Sequence, residues 1–147
     1  MSSSELGERH FLLDQSVNAR SGHPRLVSVL ARAVQRGQLV SCGPFILEAL
    51  YSAHDADQLA AIHFELVHGM PHVDTNAETF VLAHRTQLEL SRVSERFHRR
   101  PPIDYLIAAT AHQHALGVLH YDRDYDLIAE HSSLEFESRW IADPGSL

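Results

Sequence analysis

The sequence predicts a three-layer α/β/α sandwich around a mostly parallel sheet, and three observations carry that expectation. Short apolar runs at Phe11-Leu12-Leu13, Leu39-Val40-Ser41-Cys42 and Val118-Leu119-His120-Tyr121 are too brief for helices, and continuous rather than alternating hydrophobicity marks strands covered on both faces. Between them lie stretches with apolar residues at helical spacing, and strands alternating with helices build parallel sheets. Asp14 and Asp122 stand just beyond the first and third runs, where parallel sheets gather their chemistry at the strands' carboxyl ends.

In chain order, the first strand gives way to polar Asp14-Gln15-Ser16 and a polar loop from Asn18 to His23. From Pro24, the apolar positions Leu26, Val27, Leu30, Ala33 and Val34 recur as in a helix, which Gly37 stops. After the second strand, Gly43-Pro44 opens a helix over Phe45 to Ser52, with Glu48 set among Ile46, Leu47, Ala49 and Leu50. Asp55 or Asp57 caps the next helix, marked by Leu59, Ile62, Phe64, Leu66 and Val67 and ended by Gly69-Met70-Pro71. Thr75, with Glu78 completing a capping box, is expected to start a long helix to about Arg99, burying Phe80, Val81, Ala83, His84, Leu88, Leu90, Val93 and Phe97.

Pro101-Pro102 then open a helix whose apolar face is Ile103, Leu106, Ile107 and Thr110-Ala111, with Gly117 as its expected stop. Asp104 falls in its first turn, where the helix dipole favours negative charge. A strand to Tyr121, the acidic run Asp122-Arg123-Asp124-Tyr125-Asp126, a short helix around Leu127-Ile128-Ala129 and a strand at Leu134 to Glu137 complete the series. Residues 10–140 are read as one domain, between a flexible leader over 1–9 and a flexible tail over 141–147.

Composition limits the function. The chain has 147 residues, 44% hydrophobic and 21% charged, the balance of a globular protein with a true core. It has no apolar run long enough for a membrane span and no apolar signal core at its start. A single cysteine, Cys42, excludes an internal disulfide and fits a reducing cytoplasm. Nineteen acidic against twelve basic residues give a net charge of −7, which argues against gripping nucleic acid through bulk positive charge. An enzyme whose acids are neutralised by metal ions remains open.

The acids point to that chemistry. Asp14, Glu48, Asp104 and Asp122, with Asp124 behind, lie far apart in sequence, yet a parallel sheet brings strand ends and the starts of following helices to one edge. Each has a plain alternative: a strand end, a helix cap, a solvated turn. Glu48 is the hardest to explain that way, because a carboxylate drawn into apolar surroundings requires a cation. Clustered carboxylates persist only with shared protons or bound metal, and an all-oxygen set suits Mg²⁺ or Mn²⁺. Such ions support phosphoryl transfer by lowering the pKa of an attacking water. No zinc motif or glycine-rich phosphate loop is present, and His112 and His114, two apart on a helix, face different directions.

Leu12-Leu13-Asp14-Gln15-Ser16-Val17, then Glu48 in Leu47-Glu48-Ala49-Leu50-Tyr51, then Asp104-Tyr105-Leu106-Ile107-Ala108-Ala109-Thr110-Ala111, then Asp122-Arg123-Asp124-Tyr125 together resemble the PIN domain, in particular the VapC type of bacterial toxin ribonuclease, over residues 10 to 137. The resemblance implies a Mg²⁺- or Mn²⁺-dependent endoribonuclease of a type II toxin–antitoxin system that leaves a 5′-phosphate and a 3′-hydroxyl. Its catalytic acids would be Asp14, Glu48, Asp104 and Asp122, with Asp124 as an additional metal ligand and Ser16 as a supporting hydroxyl. It also implies a homodimer and inhibition by a VapB-type antitoxin. The sequence departs from the commoner pattern at Gln15 and at His120-Tyr121, which replaces a threonine-containing pair.

Two further features have a plain and a functional reading. Arg92, Arg96, Arg99 and Arg100 are either a solvated helix end or a guide for an RNA backbone. Phe45, Tyr51, Phe64 and Leu66 are either core or a face for a dimer partner or antitoxin. A PIN-like module that binds RNA or protein without cutting is the alternative of another class; it would be marked by a missing acid.

Overall fold

The computed structural model describes residues 6–147. Four strands, β1 (Phe11–Leu13), β2 (Leu39–Val40), β3 (Gly117–His120) and β4 (Ser138–Trp140), form one sheet of order β2-β1-β3-β4 with every neighbouring pair parallel. Among the described residues seven helices connect and cover it: α1 (Gln15–Asn18), α2 (Val27–Gln35), α3 (Gly43–Tyr51), α4 (Ala56–Gly69), α5 (Ala77–Ser91), α6 (Pro102–Gln113) and α7 (Asp124–His131). The central strands β1 and β3 are buried at every residue, which is why their sequences are apolar throughout.

Helix α6 holds the interior together. Ile107 and Ala111 pack into a cluster with β1, β2, β3, α2 and α3, whereas Tyr105, Ala108 and Ala109 join a second cluster with Leu82, Ala83 and Leu90 of α5 and Ile128 of α7. A helix buried on two sides leaves little room for bulk, and alanine fills it while favouring the helix. Gly117 opens β3 where a Cβ would lie 2.7 Å from the Phe11 ring, so only glycine lets β1 and β3 meet in this register.

Several expectations are corrected. Asn18, expected to open a polar loop, instead ends the short helix α1, which Asp14 caps. The capping box of α5 is Asn76 with Thr79, one residue beyond the expected Thr75 and Glu78. Helix α5 ends at Ser91 rather than near Arg99, and Arg96 adopts φ +63 in the turns that follow. Its buried positions are Thr79, Leu82, Ala83, Thr86 and Leu90, while Phe80, Val81 and Leu88, together with Val93 beyond its end, are exposed. Helix α6 ends at Gln113 and the chain reverses through Ala115 at φ 55, so Gly117 starts a strand instead of stopping a helix. The last strand is Ser138–Trp140, not Leu134 to Glu137.

The leader expected over residues 1–9 lies outside the described residues for 1–5. Leu6 is buried in the core, as are Ile141 and Ala142 at the other end, so apolar packing continues on both sides of 10–140. Phe45 and Leu66 are core, but Tyr51 and Phe64 are exposed. Among the described residues no helix is long and apolar enough to cross a membrane.

Candidate active site

The carboxyl ends of β1 and β3 lie side by side, since Asp14 N–H donates to Leu119 O at 3.1 Å. Asp14 therefore emerges next to the loop that carries Asp122 and Asp124. Ser16, in the first turn of α1, ties the two: its N–H and hydroxyl donate to Asp14 Oδ2 at 3.0 and 2.5 Å, and its Oγ accepts from Tyr121 N–H at 2.9 Å. A serine two residues after an aspartate, on the turn that starts a helix, is placed to do both.

Asp104 enters from α6. It is 3% exposed, and its Oδ2 has no hydrogen-bond partner among the described residues. Burial pushes its carboxyl up to a pKa of about 8, reinforced by the charges of Asp14, Asp122, Asp124 and Glu48. Carboxylate oxygens of Asp104, Asp122 and Asp124 lie within 4.8 Å of one another. Glu48 reaches the same place from α3, which packs against α1 and α6. Its pKa is raised by burial and by Asp14 and Asp122, and that of Asp122 by burial, Asp124 and Asp14. The charges of Asp14, Glu48, Asp122 and Asp124 all reach Asp104 and raise its affinity for a proton, so the five predicted acids share one neighbourhood.

The geometry fits a divalent cation. An oxygen-only donor set, a buried carboxylate oxygen with no partner and mutual repulsion among five acids are the features that Mg²⁺ or Mn²⁺ would satisfy. Among the described residues only one cation-bearing side chain pairs closely with the group: Arg100, whose Nη1 donates to Asp124 Oδ1 at 2.5 Å. Of the four arginines expected to guide RNA, Arg100 is thus turned toward the acids, whereas Arg92, Arg96 and Arg99 are exposed.

The sequence assigned no role in the site to two further contributors. Tyr125, fully buried on α7, sets its hydroxyl 2.6 Å from Asp14 Oδ1 and 3.2 Å from Asp104 Oδ1. Its single proton serves one carboxylate at a time, and burial and the two acids hold its pKa well above the ordinary value. Its place three residues after Asp122, on an inward-facing helix turn, was the available signal. The second is His120, buried below the loop, where burial lowers its pKa to about 4. Cys42 is buried, and desolvation raises its thiol to about 11, which removes it as a nucleophile.

A model of the PIN domain matches residues 12–131. Ribonuclease VapC18 of Mycobacterium tuberculosis is 34% identical over 138 residues, spanning 93% of this chain and 98% of that protein. Ribonuclease VapC21 of the same species is 31% identical, spanning 92% and 96%. The fold is also similar to that in the crystal structure of VapBC2 from Rickettsia felis bound to a promoter DNA fragment, with a TM-score of 0.68 at 13% identity over 88% of this chain and 98% of that one. The matched span includes all five acids, and on these likenesses the chain belongs to the PIN domain family and, within it, to the VapC type.

Proposed function

We propose that the protein is the toxin of a type II toxin–antitoxin system, an endoribonuclease that hydrolyses RNA phosphodiesters with Mg²⁺ or Mn²⁺. The relatives named as VapC ribonucleases support the reaction class. The observation that carries the metal dependence is Asp104: buried, unpartnered at Oδ2 and surrounded by four further carboxylates. A divalent cation held there would supply a lowered pKa for water and offset negative charge at phosphorus. Asp14, Asp104, Asp122, Glu48 and Asp124 would supply its oxygen ligands.

The chain's own groups do the rest. Ser16 fixes Asp14 Oδ2, and Tyr125 fixes Asp14 Oδ1 from the other side, so the rotamer of this carboxylate is set before any ligand arrives. Arg100 holds Asp124 in place and offsets part of the negative charge that would repel RNA. Arg92, Arg96 and Arg99 form an exposed basic margin that can contact phosphates without reading bases.

A VapB-type antitoxin as partner is supported by the solved VapBC complexes that share the fold. Exposed apolar side chains on α3 and α4, Leu47, Tyr51 and Phe64, suit such a partner or the second copy of a homodimer. A cytoplasmic site of action follows from the RNA substrate and fits the lone buried thiol. RNA cleavage by the purified protein with Mg²⁺ or Mn²⁺, against a chelator control, tests the proposal. Asp104→Asn is expected to fold and not to cut; undiminished cleavage by that variant, or cleavage unaffected by chelator, overturns it.

A further inference from the structure

The buried network under the Asp122 loop has a direction that can be followed atom by atom. Asp122 N–H donates to His120 Nδ1 at 3.1 Å, so Nδ1 is an acceptor and the ring proton sits on Nε2. Nε2 lies 2.7 Å from Ser138 Oγ, and Ser138 in turn donates to Asp126 Oδ1 at 2.6 Å. Trp140 Nε1–H closes the far end by donating to Asp126 Oδ2 at 2.7 Å. Each of these donors thus has an acceptor. The ring is fully buried, stacked on Tyr125 at 5.0 Å between centroids and met edge-on by Trp140 at 5.2 Å. Turning it over would replace both nitrogens by carbon and break both bonds, so only one orientation is compatible with the site.

We propose that His120 is a positioning residue for the acid-bearing loop: its Nδ1 accepts the Asp122 main-chain N–H and thereby sets where the Asp122 and Asp124 carboxylates stand. The link continues outward, because Asp122 Oδ1 accepts Asp124 N–H at 2.9 Å and Asp124 meets Arg100. Placement of both outer acids is therefore inherited from a ring anchored to β4 through Ser138. The effect on the cation rests on the metal-dependent reading above; the effect on the loop does not.

The two ring nitrogens can be separated by substitution. His120→Asn keeps an acceptor near the Nδ1 position and loses the link to Ser138, whereas His120→Gln keeps a group near Nε2 and loses the acceptor for Asp122. In the metal-free protein, amide exchange at Asp122 followed by NMR is expected to rise about threefold to tenfold in His120→Gln, the span of one ordinary hydrogen bond, and to stay near wild type in His120→Asn. Mn²⁺ affinity by calorimetry is expected to fall about tenfold or more in His120→Gln, as for the loss of a group that orients a metal ligand, and only about twofold to threefold in His120→Asn, which keeps the acceptor but not the anchor to Ser138. Ser138→Ala, a milder change, should weaken Mn²⁺ binding less than His120→Gln does, and it keeps the test decisive if a His120 variant fails to fold. Equal losses in the Asn and Gln variants, unchanged exchange at Asp122 in both, or no effect of Ser138→Ala with the His120 variants unfolded overturns the proposal. A wild-type protein that binds no Mn²⁺ defeats the metal reading instead, while the exchange arm still decides the role of His120.

Discussion

The acids of the pocket fall into an inner pair and an outer trio. Asp14 and Asp104 are 2% and 3% exposed, whereas Glu48, Asp122 and Asp124 are only partly buried. The inner pair shares the Tyr125 hydroxyl and, among the described residues, has no basic side chain bonded to it; Asp104 is raised to about 8 by burial and the neighbouring acids. The outer set is managed differently, by solvent and by Arg100. Buried charge without a partner is the more costly condition. Asp104, with one buried oxygen left unpartnered, therefore creates the demand for a cation, and the outer trio shapes how one is held and exchanged.

Removing one acid from each set should give very different losses. Asp104→Asn is expected to lower Mg²⁺-dependent RNA cleavage by about a hundredfold to a thousandfold or more, the scale of several kcal/mol of lost charge stabilisation, and Asp124→Asn by about tenfold. Initial rates at saturating Mg²⁺ decide it, and equal losses would erase the distinction between the sets.

The stability of the metal-free protein should show the opposite sign. An acid raised from 3.8 to about 8 on folding holds a proton that the unfolded chain has already released, so its contribution is fully present at low pH and disappears as pH rises through that window. Asp104→Asn should therefore melt higher than wild type at pH 8 with the gap closing toward pH 4, in thermal melts with chelator present. His120, lowered from 6.5 to about 4, works against stability only below pH 6.5 and is common to both proteins, so it drops out of the difference.

Tyr125→Phe sharpens the picture of the inner pair. It leaves Asp14 Oδ1 without its donor and should destabilise the protein by about 1–3 kcal/mol in urea unfolding. The smallest effect is expected at the margin. Replacing Arg92, Arg96 and Arg99 together by alanine should leave folding unchanged and flatten the salt dependence of RNA binding, each lost phosphate contact lowering the slope by about 0.7 for a single strand.

The acids were legible because each sits at a place the chain announces: a strand end, a helix start, or an apolar helix that a carboxylate interrupts. What held them was less so. Tyr125 reads as an ordinary core aromatic, and only its hydroxyl, 2.6 Å from Asp14, reveals its place in the pocket. The face of α5 was misplaced because hydrophobicity ranks Phe80 and Leu88 above threonine, yet Thr86 is buried with its hydroxyl donating to Leu82 O at 2.8 Å. A hydroxyl satisfied within its own helix is cheap to bury, and no pattern of apolar spacing shows that. The end of α5 at Ser91 was missed because no glycine or proline stands between Ser91 and Arg100 to mark it.

The pairing of β1 with β3 joins residues more than a hundred positions apart. During translation, a nascent chain that has exposed β1 and α3 carries Asp14 and Glu48 but neither the strand that aligns them nor the remaining acids. Assembly waits until β3 and the loop after it have left the ribosome, and the anchor from Ser138 comes later still. A growing copy of this chain thus lacks its full set of acids until its last strands emerge, and the site is the last part of the molecule to close.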